Sequence, residues 1–147
     1  MKNLIILLLL LGGSITAMAQ TPIVNSKIKY KDFKDVKWIN GGDIHDEQTT
    51  LVEFYIDGNP SCRVIMDEVL LPMHKDKPDV QIIILAFEES TRLRVIAENY
   101  PGVNIGLDPK GSVFKLFGVK YVPQSVLIGE NDKIRWRGAL NQSFPTL

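Results

Sequence analysis

Apolar positions along this 147-residue chain fall into short blocks of two kinds. Residues 51–56, Leu-Val-Glu-Phe-Tyr-Ile, and residues 80–87, Val-Gln-Ile-Ile-Ile-Leu-Ala-Phe, are nearly unbroken runs of aromatic, β-branched and large aliphatic side chains. Such runs suit strands covered on both faces. Burial of Ile82, Ile83, Ile84 and Leu85 is worth roughly 1.5–3 kcal/mol each, which places the second run at the centre of a sheet. Between the runs the period turns helical. Asn59 is a good N-cap and Pro60 fits the first helical position, so a helix is expected from Pro60 to about Lys75, ended by Lys77-Pro78-Asp79. Ser90-Thr91 opens a second helix to about Asn99, with Leu93, Ile96 and Ala97 at helical spacing. Residues 112–117 predict a short helix stopped by Gly118, followed by a strand at 125–128, a turn at 130–133 and an antiparallel edge strand at 134–137. On that edge strand Trp136 alternates with Arg135 and Arg137, one face packed and one solvated. Upstream, Lys37 to Gly42 predicts a strand ending in a glycine turn. Residues 20–36 predict an extended arm or irregular first strand in which Ile28, Tyr30 and Phe33 are loosely spaced. Strands and helices in alternation predict an α/β sheet with right-handed crossovers.

The start of the chain is of a different kind. Met-Lys-Asn precedes an apolar stretch, and Ala17-Met18-Ala19 supplies small residues before Gln20, which together predict a secretory signal peptide over residues 1–19. Residues 4–11 are followed at once by Gly12-Gly13-Ser14 and are too short for a membrane anchor. The expected mature protein is periplasmic or secreted, with an arm at 20–36 and one domain at 37–147. Basic and acidic residues number 17 each, and the leader removes one of the basic ones. With this balance and no basic run, nucleic acid is not an expected partner.

The chain has a single cysteine, Cys62, so no internal disulfide can form. The expected position of Cys62, in the first turn of a helix, lies near the positive end of the helix dipole. The thiol is either buried and inert or open to intermolecular exchange. His74 follows Cys62 by 12 residues, about 18 Å along a helix rising ~1.5 Å per residue, too far for a Cys–His nucleophile pair. His45 lies in a polar connector. Two histidines and one cysteine without ligand spacing make no metal site, and Gly106-Leu107-Asp108-Pro109-Lys110-Gly111 lacks phosphate-loop spacing, so no cofactor is expected.

The order strand, short loop, then Asn59-Pro60-Ser61-Cys62-Arg63 resembles the Cys-x-x-Cys site of the thioredoxin superfamily, with Asn59 where the attacking cysteine stands. Trp38-Ile39-Asn40-Gly41 is similar to a turn that precedes the central strand in its periplasmic TlpA/ResA-type branch. Residues 104–138, with Gly118-Val119-Lys120-Tyr121-Val122-Pro123, resemble the second half of such a domain. The likeness spans about residues 38–138. It implies a thioredoxin-like fold, a central mixed sheet flanked by helices, and a cis Val122-Pro123 bond. It also implies a groove at Tyr121, Val122 and Pro123 in which the backbone of Val122 is free to pair with an extended protein or peptide segment. Cys62 takes the resolving position. Glu53 takes the place of a buried acid that handles the proton of that cysteine; the other reading puts Glu53 on a solvent face.

The resemblance implies a thiol–disulfide oxidoreductase family member in which the dithiol couple is incomplete. Two activities follow: a redox-degenerate module that binds peptide or protein, or a monothiol oxidoreductase in which Cys62 forms mixed disulfides resolved by an external thiol. A third reading is a fold kept with neither activity. Two departures from the family pattern stand out. Pro72 kinks the first helix farther from the site, and Pro145 breaks any helix after the last strand. Without that terminal helix, one sheet face is either partly bare and available for self-association or covered by the N-terminal arm.

Overall fold

The computed structural model describes residues 24–141, 144 and 147; the expected leader over residues 1–19, its expected cleavage site and Pro145 lie outside them. Six strands, β1 (Lys37–Asn40), β2 (Thr50–Phe54), β3 (Gln81–Ala86), β4 (Asn104–Leu107), β5 (Gln124–Ile128) and β6 (Ile134–Gly138), form one sheet in the order β1-β4-β3-β2-β5-β6. The two pairings among the inner strands, β2 with β3 and β3 with β4, are parallel, whereas β1, β5 and β6 each run antiparallel to their neighbours. The apolar runs supply the central pair: β2 and β3 are buried at every position.

Because side chains alternate across a strand, each run feeds two cores. On one face Leu51, Tyr55, Ile82, Ile84 and Leu127 pack against Cys62, Ile65 and Met66 of the first helical segment and against Leu93 and Ile96. On the other, Val52, Phe54, Ile83 and Val126 pack against Val113, Phe114 and Phe117. Helix α3 (Thr91–Asn99) begins where Ser90 accepts the backbone N–H of Leu93 at 3.2 Å. Helix α4 (Ser112–Leu116) begins beneath the buried carboxylate of Asp108, which accepts the N–H groups of Ser112, Val113 and Phe114 at 2.9, 2.8 and 3.0 Å. Gly118 closes that end with a φ of 61°.

Two expectations are corrected here. The helix opening at Pro60 is not one regular helix with a simple kink. It is α1 (Pro60–Ile65), a π-helical turn (Met66–Leu70) and α2 (Leu71–Asp76). The cause is Pro72, which has no N–H for the carbonyl four residues back and whose ring crowds it. The wider turn accommodates this, and Leu71 N–H bonds Met66 O, five residues back.

The second correction concerns the arm and the sheet faces. Where the sequence predicts an extended arm or irregular first strand, the described part of the arm has a 3-10 turn (Tyr30–Phe33) and one bridge, Lys27 to Lys133. Of the two alternatives for the sheet faces, covering by the arm is found: Ile28, Phe33 and Val36 pack on the α4 face. Lys29 Nζ lies 3.2 Å from Asp132 Oδ2, and Asp132 Oδ1 accepts Glu47 N–H at 2.6 Å, tying arm and connector to the β5–β6 turn. On the opposite face Leu140 is buried, and Phe144 meets Trp136 edge-on at 5.2 Å. A bare sheet face for self-association is therefore not found among the described residues.

Candidate functional site

β2 ends at Phe54 and its continuation, Tyr55-Ile56-Asp57-Gly58, carries the chain out of the sheet to Asn59. The turn is held by its own polar groups. The Tyr55 hydroxyl donates to Asp57 Oδ1 at 2.6 Å, and Arg63 Nε donates to the Asp57 carbonyl at 2.7 Å. Burial, then the bond to Asp57, holds the Tyr55 phenol above its usual range.

Asn59 adopts the extended conformation of an N-cap. Its Oδ1 accepts the N–H groups of Ser61 at 2.9 Å and Cys62 at 3.2 Å. Its Nδ2 reaches out of the helix and donates to the carbonyl of Val122 at 3.3 Å. The expected free backbone of Val122 is thus corrected at the carbonyl alone, which already accepts a hydrogen bond from a side chain of this same chain. The Val122–Pro123 peptide bond is cis. Tyr121 is 66% exposed and Ile56, at the same end of the sheet, 39%.

Cys62 has no exposed surface. Burial pushes its thiol pKa up, a backbone hydrogen bond from Ile56 opposes this, and the charge of Glu53 adds to it. Glu53 is inside the sheet, with no exposed surface, on the face that carries Leu51, Tyr55 and Cys62. The solvent-face alternative is excluded. β2 and β5 pair Glu53 directly with Ser125, whose hydroxyl donates to Glu53 Oε2, while Oε1 has no partner. Desolvation pushes the Glu53 pKa up to about 8 and the Ser125 bond pulls against it, so the carboxyl is mostly protonated at neutral pH.

Glu53, Asn59, Cys62, Val122 and Pro123 thus meet at one end of the central strands, with Tyr121 at the rim. Ser125 was not legible as a partner from sequence. Its hydroxyl matters only because β5 lies beside β2, and the one available hint was a polar residue at the start of an apolar strand.

The histidines lie elsewhere. His74 sits edge-on to Tyr100 at 6.4 Å, lining an open groove of about 1200 Å³ between the first helical segment and α3. Cys62 does not line that groove. His45 is exposed, 3.9 Å from Asp43. Among the described residues no three His, Cys, Asp or Glu side chains come together to hold a metal, and no helix is long and apolar enough to cross a membrane.

No protein-family model and no curated protein sequence matches the chain. Solved structures do. A secreted Mycobacterium tuberculosis disulfide oxidoreductase homologous to E. coli DsbE aligns with a TM-score of 0.57 and 13% identity over 71% of this chain and 78% of that one. The thioredoxin domain of a thiol–disulfide oxidoreductase from Bacteroides vulgatus aligns with a TM-score of 0.59 and 15% identity over 80% and 89%. A Neisseria meningitidis protein provisionally assigned as a thioredoxin is 23% identical with a TM-score of 0.53, but the match spans 64% of this chain and 65% of that protein. At these identities the likeness is one of architecture. Six mixed strands, helices on both faces and the meeting of a helix start with a proline loop give the conclusion: the chain has the thioredoxin-like fold, and its structural neighbours include thiol–disulfide oxidoreductases.

Proposed function

We propose that this chain is an exported TlpA/ResA-type relative of the thiol–disulfide oxidoreductases that has lost dithiol turnover and binds an extended segment of peptide or protein at the proline loop. The observation that carries the reading is the pairing of residues at the helix start. The only thiol, Cys62, is sealed and its pKa is raised, while Asn59, with no sulfur to offer, takes the outward position. Attack on a disulfide needs a thiolate that the substrate can reach. A cycle that closes an internal disulfide is unavailable to a chain with one cysteine. Exposed Tyr121 and Ile56 supply apolar contact beside the loop. The leader at residues 1–19 supports export, as does the secreted M. tuberculosis neighbour.

A monothiol enzyme is the second reading, favoured by the burial of Glu53 next to Cys62. In it the Cys62 thiolate would attack a substrate disulfide and expel one half as thiolate. An external thiol would then release the other half and restore Cys62.

Two measurements separate the readings. The purified mature protein is titrated with reduced, carbamidomethylated α-lactalbumin, an unfolded chain with blocked thiols, and shifts of the backbone amides of Ile56, Tyr121 and Gln124 are followed by NMR. Insulin reduction in dithiothreitol is assayed alongside, for wild type and Asn59→Cys. Amide shifts at the loop with no acceleration by wild type, and gain of activity in Asn59→Cys, are expected. Wild-type turnover that disappears in Cys62→Ser would establish the monothiol enzyme instead.

A further inference from the structure

Asn59 uses both ends of its amide, and only one end is explained by capping. The bonds from Ser61 and Cys62 N–H to Oδ1 satisfy free donors of the first helical turn, and Ser or Asp at this position would do the same. The bond from Nδ2 to the Val122 carbonyl serves no helix. It joins residues 63 apart in sequence, linking the start of α1 to the loop that enters β5. Val122 is half-buried and packs against both cores, including the cluster that contains Cys62. The Asn59 amide therefore bridges the two walls of the site next to Cys62, a residue with no exposed surface.

We propose that Asn59 is a latch. Its Nδ2–Val122 bond holds the proline loop against the helix start, keeps Cys62 sealed, and occupies the backbone acceptor that an incoming strand would use. A neutral, part-buried hydrogen bond of 3.3 Å is weak enough to open within the native state, so the site is gated rather than closed. An extended peptide that reaches for the Val122 carbonyl meets the Asn59 amide already bonded there and competes with it for that oxygen. That clause rests on the peptide-binding reading above; the seal on Cys62 rests instead on the Asn59–Val122 bond and on the packing of Val122 against the cluster that holds Cys62.

The test separates the cap from the bridge. Asn59→Ser and Asn59→Asp keep a capping oxygen and remove the amide donor, so both are expected to fold with melting temperatures close to wild type. Two rates and a melting temperature are compared: iodoacetamide alkylation of Cys62 in the native state at several low urea concentrations, hydrogen exchange of the backbone amides of residues 119–122 and 124, and thermal melting. The expected result in Asn59→Ser is alkylation and loop exchange about five- to tenfold faster, the loss of one ordinary hydrogen bond. The added opening should be independent of urea, as befits a local event. Asn59→Asp should show the same gain in loop exchange, which does not depend on the thiol.

Unchanged loop exchange in both variants would overturn the latch and leave Asn59 as a cap alone. So would wild-type alkylation as fast as in the unfolded chain. Faster exchange without any binding of carbamidomethylated α-lactalbumin would keep the latch and retire the peptide-binding reading. Binding equally tight in wild type and Asn59→Ser would overturn the claim that the amide competes with peptide.

Discussion

Glu53 and Cys62 lie on the same face of the central sheet, both without exposed surface, and the carboxylate charge of the first raises the pKa of the second. Burial disfavours the ionised form of Glu53 itself. Near neutral pH the pair is therefore held as a carboxylic acid beside a thiol, both without exposed surface. This protonated pair sets the first prediction.

Glu53 should make stability fall as pH rises. Its folded pKa is about 8 against 4.5 for an unperturbed carboxyl. The folded state thus keeps a proton that the unfolded state has already released across that window. The contribution is fully present below pH 4.5 and is lost as pH rises towards 8, at up to about 1.4 kcal/mol per unit. Glu53→Gln has the same shape, carries no charge and still offers Ser125 an acceptor. Urea denaturation should show wild type losing stability between pH 5 and 8.5 while Glu53→Gln stays nearly flat over the same range. Parallel slopes would refute the assignment.

Asp108 should matter through α4 rather than through catalysis. Its buried carboxylate accepts three backbone donors of the first turn, and that turn positions Phe114, whose ring stands edge-on to Phe54 at 4.9 Å. Asp108→Ala leaves the Val113 and Phe114 donors buried without this partner, at a cost of roughly 1–3 kcal/mol. Asp108→Asn, which retains one acceptor oxygen, should lose less. Chemical denaturation of the two variants beside wild type checks both the size and the order.

Gly106 should be intolerant of a methyl group although its backbone conformation is ordinary. In β4 it lies under the side chains that β1 and the arm bring across: an added Cβ would collide with Val36 Cγ1 and come within 3.1 Å of the Trp38 ring. Overpacking of this kind typically costs 1–3 kcal/mol. Gly106→Ala should lower the melting temperature, and Val36→Ala in the same chain should recover part of the loss. Additive losses in the double variant would refute the steric account.

Much of the framework is written locally. The continuous apolar runs of β2 and β3, Asn59 and Ser90 as N-caps, Pro60 at a helix start and Gly118 at a helix end all act through neighbouring backbone, so their effects can be read residue by residue. The single cysteine and its place in the first helical turn are likewise matters of sequence alone, and they suffice to exclude an internal disulfide. What the site does with these residues depends on partners far along the chain. Alternation assigned Glu53 a face but not its cover; burial came from helix packing, and its hydrogen bond from Ser125, 72 residues away. The carbonyl that Asn59 Nδ2 finds is set by how β5 enters the sheet, and the covering of the α4 face by the arm rests on burial of Ile28, Phe33 and Val36 and on backbone bonds to the β5–β6 turn, about a hundred residues away. Caps and apolar runs work over three or four residues, where the backbone fixes the distances. Burial, pKa and cross-chain hydrogen bonds depend on which strands come to lie side by side, and only the folded sheet decides that.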